Sequence, residues 1–384
     1  MNSQSLLIFL AGSLLPSFIV ALIGTYFVRR NASRFGLIDL PNERKVHTSP
    51  TPRGGGLAVW LGVVGTFAVA QLLLWYVKSS SGSSLVPEFA KEHLSGASTK
   101  VGELWILLAA GTTLMFLGLA DDRGGLSWQF RLAVEFTVAA ACVWLVPNLR
   151  ATAFIPYPLV TSVLSVLWIV ALINAFNMLD NMDGLSAGVA AISASMLAAV
   201  MLLSPDPTTG APQLFKAGLL LVLVGSLLGF LWHNRPPARI FMGDSGSYFI
   251  GFMIAVATLL ASYTGYHSEK RHAILAPLLV MAVPLYDMTT VILIRLKHGQ
   301  SPFAADKNHF SHRLVDLGLT KPQAVLTIYL MTATCGLGAL LLHRTDRTGA
   351  LLVLLLITCI ISLIAILEST GRKSTGNGQR NERK

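Results

Sequence analysis

The sequence predicts an all-α, polytopic integral membrane protein with about eleven transmembrane helices, and three observations carry that prediction. Of its 384 residues 53% are hydrophobic and only 12% charged, and the mean hydropathy is positive, a balance that a water-soluble chain of this length does not sustain. Eleven apolar segments follow one another, each about as long as a helix needs to cross a hydrocarbon core of roughly 30 Å at about 1.5 Å per residue. Finally, Asp121, Asp122, Asp180, Asp183 and Asp244 sit in three short connections between those segments, all on one membrane face.

The first segment, residues 6–28, reads as a retained anchor. Met1 to Ser5 carry no lysine or arginine, and no small-residue cleavage site precedes Arg29-Arg30, so it lacks the marks of a signal peptide. Segment 57–77 leads into the Gly/Ser-rich stretch Ser79–Ser84, which reads as a flexible external loop. Segments 104–120 and 131–147 are short and make a hairpin whose turn carries Asp121 and Asp122; fusing them would place that turn in lipid. Segments 159–179 and 185–203 flank Asp180–Gly184, while 214–232 and 247–263 flank the connection that carries Asp244. Segment 273–295 precedes the longest late loop, and 324–342 and 348–368 complete the set. Residues 1–371 thus form a single transmembrane domain, and 372–384 a polar, basic tail expected to be disordered.

Charge sets the orientation. With the N-terminus outside and the C-terminus cytoplasmic, the face holding loops 29–56, 121–130, 180–184, 233–246 and 296–323 and the tail carries twenty of the twenty-nine Lys and Arg residues. The positive-inside rule makes that face cytoplasmic. The net charge of +10 is spread over many short loops, which suits anionic headgroups of the lipid bilayer and an anionic substrate, and no nucleic-acid module is present. Cys142, Cys335 and Cys359 fall in apolar stretches without CxxC spacing and act as small core hydrophobes.

Carboxylates are costly beside hydrocarbon, so several gathered at helix ends imply a cation, a proton or a phosphate. Asp121-Asp122-Arg123-Gly124-Gly125 offers two acids whose side chains diverge, although a lone Asp-Asp is equally at home in a solvated turn. From Asn174 to Gly184, amides at Asn174, Asn177 and Asn181 share a helical face above Asp180 and Asp183. Amides within an apolar span need partners, and helix–helix hydrogen bonding would supply some of them. Phe241-Met242-Gly243-Asp244-Ser245-Gly246-Ser247 sets an acid between glycines where a helix begins, a place for backbone N–H groups to meet a phosphate or for Asp244 to bind a hard cation. Asp244 as a helix cap is the simpler alternative.

Ser301 to Leu314 packs Lys307, His309, His312 and Arg313 into one loop, donors suited to phosphate oxygens together with imidazoles for acid or base work. The first cytoplasmic loop, Gly36 to Gly56, combines prolines, Arg44, Lys45, His47 and Arg53 with a triple glycine, and reads as a basic lid over a phosphate or as a plain loop.

At these five stretches, in this order from about Gly36 to Thr320, the chain resembles the polyprenyl-phosphate N-acetylhexosamine-1-phosphate transferases of glycosyltransferase family 4. This superfamily includes the undecaprenyl-phosphate GlcNAc-1-phosphate transferase, whose branch the chain resembles more, and the phospho-MurNAc-pentapeptide translocase. The resemblance implies transfer of a sugar 1-phosphate from a UDP-N-acetylhexosamine to a polyprenyl phosphate with release of UMP, as the first membrane step of a cell-envelope polysaccharide such as lipopolysaccharide. It implies Mg²⁺, with Mn²⁺ as a substitute, a homodimer, and a site on the cytoplasmic face of the bacterial inner membrane. Two anionic reactants must meet, and a divalent cation lowers their repulsion.

Carried over by position, the resemblance assigns metal binding to Asp122, Asp244 and Asn177. It assigns catalytic roles to Asp121, Asp122, Asp183, His309 and His312, and substrate binding to Lys45, His47, Asn174, Asn177, Asp180 and Arg313. Asp121 would deprotonate or orient the acceptor phosphate, a role exchangeable with that of Asp122. Asp287, in Pro284-Leu285-Tyr286-Asp287, matches a supporting position. Members that transfer GlcNAc 1-phosphate often show His-x-His-His where this chain has His309-Phe310-Ser311-His312, a difference that bears on the sugar and not on the metal. Translocase-like activity is one alternative, and a secondary transporter, which would place its acids at the midplane in paired broken helices, is another.

Overall fold

The structure, a computed structural model, describes residues 3–39, 50–79, 94–151, 155–204, 206, 210–261, 263, 270–304 and 306–381. Helices account for nearly all of it: α1 (Ser3–Asn31), α2 (Gly56–Ser79), α3 (Leu94–Gly124), α4 (Trp128–Leu145), α5 (Pro158–Leu179), α6 (Leu185–Leu203) and α7 (Leu214–Asn234) in the first two thirds. After these come α8 (Asp244–Leu260), the short α9 (Ala276–Val280), α10 (Ala282–Lys297), α11 (Phe310–Asp316), α12 (Lys321–Leu342) and α13 (Arg347–Asn381). The described strands are β1 (Ile38–Asp39) and β2 (Thr51–Pro52), an antiparallel pair in the first loop.

Each of the eleven apolar segments is helical, but they are not equivalent. Among the described residues, eight helices are long and apolar enough to cross a membrane, or nine if the bent pair Arg271–Val280 and Ala282–Lys297 counts as one. The other two, α4 and α8, have 18 and 17 residues. Segment 104–120, expected to be short, belongs to the 31-residue α3, so Asp121 and Asp122 ride on its last turn instead of in a loop. Segment 273–295 is broken by 63° at Met281. The cause is local: Pro284 has no N–H for the carbonyl of Val280, and its ring clashes there. The last helix runs beyond its apolar span to Asn381, carrying helix into the tail expected to be disordered, since extending an existing helix costs far less than starting one.

Helix α8 is the axle of the bundle. Every residue from Ser245 to Thr258 is buried, and its neighbours are α3, α5, α2 and α7. Small residues allow that closeness. A Cβ on Gly118 of α3 would lie 2.3 Å from the backbone of Asp244, and one on Gly56 of α2 would lie 2.1 Å from the backbone of Gly246. Such backbone-to-backbone approach is how helices associate in lipid, where no hydrophobic drive separates them from solvent. Outside this core α1 packs on α7 and α2, and α6 on α7 and α12.

Candidate active site

The close approach at Gly118 decides where the acids go. Asp122 lies four residues further along α3, on the same helical face, and so arrives at the start of α8. There its Oδ1 accepts from the Asp244 N–H at 3.1 Å and its Oδ2 from the Ser245 N–H at 3.2 Å. The N-terminal N–H groups that the sequence offered to a phosphate are therefore taken by a carboxylate of the protein itself. Gly243 makes room, with φ 74° and ψ 174°, and a Cβ there would meet Asp122 Oδ2 at 2.5 Å. Asp121, one residue earlier, points elsewhere: it accepts from the Leu126 N–H, at 2.6 Å, from the Tyr248 hydroxyl, at 3.3 Å, and from Arg131.

Two loops complete the rim. Pro52, Gly55 and Gly56 exchange backbone hydrogen bonds with Phe241 and Met242, which sets the first loop beside the Asp244 turn. From it Arg53 reaches the Asp122 carbonyl at 3.2 Å and pairs with Asp39. On the other side Asn234 holds the acidic turn, accepting from the Gly184 N–H at 3.0 Å and donating to the Ile240 carbonyl at 2.8 Å. Asp183 accepts from the Ala238 N–H at 2.9 Å.

The result is a cavity of about 390 Å³ lined by Asp122, Asp180, Asp183 and Asp244 and, from the late loop and the start of α12, by Lys307, His309, His312 and Lys321. Burial, then the charge of Asp122, pushes Asp180 up to about 7, and Asp183 adds to the effect. His309 contacts the buried Asp287 through Nδ1, at 3.1 Å, so its Nε2 is the nitrogen left for a ligand. Burial, with His309 and Lys307 nearby, lowers His312 from its ordinary value, which favours its uncharged form.

Several residues expected to touch substrate stand apart from this cavity. Asn177 lies one step behind, donating to Asp244 Oδ1 at 2.6 Å and to Ser247 Oγ at 3.1 Å. Asn174 donates to Glu135 at 2.5 Å, and Arg313 turns inward to Glu368 at 2.8 Å. Lys45 and His47 lie outside the described residues. Conversely Asp39, Arg53, Asn234, Asp306, Lys307 and Lys321 line the cavity without having been assigned a role; for Arg53 and Lys307 the signal was their place inside stretches already marked. Ser311 donates to Asn181 and thereby joins the late loop to the acidic turn.

The residues present fit a divalent cation shared with a substrate. No three His, Cys, Asp or Glu groups close into a metal cage among the described residues, but Mg²⁺ characteristically binds through one or two carboxylates plus waters and phosphate oxygens. Asp122 and Asp244 are adjacent, and each carboxylate oxygen keeps a second lone pair beyond its hydrogen bond.

Comparison with known proteins gives a family and its relatives. The model of glycosyl transferase family 4 matches residues 104–262. A probable undecaprenyl-phosphate N-acetylglucosaminyl 1-phosphate transferase of Bacillus subtilis is 32% identical over 366 residues, covering 92% of this chain and 90% of that protein. The decaprenyl-phosphate N-acetylglucosaminephosphotransferase of Mycobacterium tuberculosis is 35% identical over 376 residues, 91% of this chain and 88% of its own. An Escherichia coli (strain K12) undecaprenyl-phosphate alpha-N-acetylglucosaminyl 1-phosphate transferase is 28% identical over 332 residues, 83% and 80% of the two chains.

Proposed function

The chain belongs to glycosyl transferase family 4, and on that premise we propose that it transfers a sugar 1-phosphate, GlcNAc 1-phosphate foremost, from a UDP-sugar to a polyprenyl phosphate. An oxygen of the acceptor phosphate attacks the β-phosphorus of the donor; the bond from that phosphorus to the bridging oxygen breaks, and UMP leaves with the electron pair. The observation that carries this reading is a cavity lined both by Asp122, Asp180, Asp183 and Asp244 and by Lys307, His309, His312 and Lys321. Two phosphates of like charge need both.

Asp122 and Asp244 would hold Mg²⁺, with Asn177 steadying Asp244 from behind. When bound, the ion would neutralise the pyrophosphate and stabilise the departing UMP. Lys307 and Lys321 supply point charges for phosphate oxygens, and His309, its ring fixed by Asp287, presents one nitrogen in a defined direction to the sugar phosphate. Asp121, tied to Arg131 and Tyr248, supports the turn and does not reach the cavity wall. The positive-inside count supports a cytoplasmic placement of this face, and the bacterial relatives support the inner membrane as its location. The acids gather at helix ends instead of the midplane, and the relatives carry transferase names, so neither the transporter nor the translocase reading gains support.

The test is direct. Purified protein with UDP-GlcNAc, Mg²⁺ and undecaprenyl phosphate should release UMP; no release with any UDP-N-acetylhexosamine overturns the proposal. Asp244→Ala should lower turnover by at least about 100-fold, the usual scale for a lost electrostatic group. More than about a tenth of the activity surviving would remove Asp244 from the metal-binding role.

A further inference from the structure

The terminal helix α13 is the outermost of the bundle, with Leu351, Leu352, Leu355, Leu356 and Leu363 all more than half exposed. At the end of its apolar span, however, stands a buried carboxylate. Glu368 is 8% exposed, and its Oε2 accepts from Arg313 Nε at 2.8 Å and from the Tyr286 hydroxyl at 3.1 Å. Among the described residues its Oε1 has no partner and the cation paired with it is Arg313, and a buried ion pair of this kind is costly unless something depends on its geometry.

What depends on it is α11. This helix has seven residues, too few to hold itself in shape, and it bears His312 while His309 precedes its first turn. Two buried carboxylates pin it. Asp287 accepts from the Phe310 N–H at 2.5 Å and contacts His309. Arg313, next to His312 in sequence, is fixed by Glu368, by Thr290 Oγ1 at 3.0 Å and by the Asn308 carbonyl. Asp287 fixes one end and Ser311 is tied to Asn181, and on the opposite side of His312 the Arg313 contacts complete the set that fixes the rotation of α11, and hence the aim of His312.

We propose that Glu368 is a positioning residue for the histidine wall of the cavity, acting through Arg313. Its kinetic consequence rests on the transferase reading above, whereas its effect on the imidazoles does not.

Both are measured on the full chain. Glu368→Leu should lower kcat by about 10-fold or more, as misplacement far from the chemistry does, while the KM for the UDP-sugar changes far less. Carbethoxylation of His309 and His312 by diethylpyrocarbonate, read peptide by peptide, should accelerate several-fold. Glu368→Gln keeps a neutral acceptor and should fall between the leucine variant and the wild type in both, since an ionised acceptor binds roughly twice as strongly; it is read alone if the leucine variant does not fold. A purely structural role would lower yield and melting temperature but leave histidine labelling of the folded fraction unchanged. Wild-type kcat and wild-type labelling in whichever variant folds would overturn the proposal. Absence of UMP release by the wild type would instead strike the transferase reading and leave the labelling result standing.

Discussion

Asp122 and Asp121 are neighbours with different work, and the difference follows from 100° of helix rotation. Only Asp122 shares the Gly118 face, so it caps the first turn of α8, while Asp121 meets α8 from the side through the Tyr248 hydroxyl. Gly243 is the residue this arrangement cannot lose: its backbone sits in a region open to glycine almost alone, at a typical cost of about 1–3 kcal/mol for any other residue. Gly243→Ala is therefore expected to lower the melting temperature in detergent and to weaken turnover together, by displacing Asp122; an alanine variant that melts and turns over like the wild type would refute the crowding. At this scale the sequence was only half readable. The acids were marked by their expense near lipid, but the direction of Asn174 and Arg313 depended on Glu135 and Glu368, single acids at distant positions with no motif around them.

Among the elements, the late loop owes the shape of its first half to a buried ion pair. Arg295 donates from Nε at 3.0 Å and from Nη2 at 3.2 Å to the two oxygens of Asp306, and Phe303 stacks on Trp128 at 4.2 Å and 7°. Burial pulls the Asp306 carboxyl up, but hydrogen bonds from Arg295 and Asn308 outweigh it and hold the value down at about 2, below the ordinary 3.8. A depressed folded value means that this support is complete above about pH 4 and is lost as the pH falls towards 2. A spin label at Gln300→Cys should stay restricted at neutral pH and gain mobility across that window, and Asp306→Asn should be mobile throughout; a label equally mobile in both at pH 7 would show that the pair does not order the loop. Helices were legible from apolar length, whereas breaks and boundaries were not. Pro284 bends a span that hydropathy drew straight, and α3 carries its acids on its last turn, against the helix dipole, because Arg131 and the first N–H groups of α8 satisfy them.

For the whole molecule, legibility lay in order and side: three acidic stretches and two basic ones, far apart in the chain, meet at one end of the bundle because consecutive spans return every second connection to the same face. The arrangement is open to a labelling experiment. A membrane-impermeant thiol reagent should reach Gln300→Cys only in inverted vesicles and Asn148→Cys only in intact cells; the reverse pattern would turn the protein over and put the cavity outside.

The brevity of α8 has a consequence for how the two reactants would meet. Seventeen residues span about 26 Å, some 4 Å less than a hydrocarbon core of roughly 30 Å, so a membrane-crossing α8 whose far end reaches the opposite surface would hold Asp244 in a shallow well and not on a promontory. An isoprenoid phosphate can slide in sideways at the depth where its own headgroup already floats, while the nucleotide sinks from the water above. Neither partner has to leave its native phase, and the protein needs no crane to lift grease into solution.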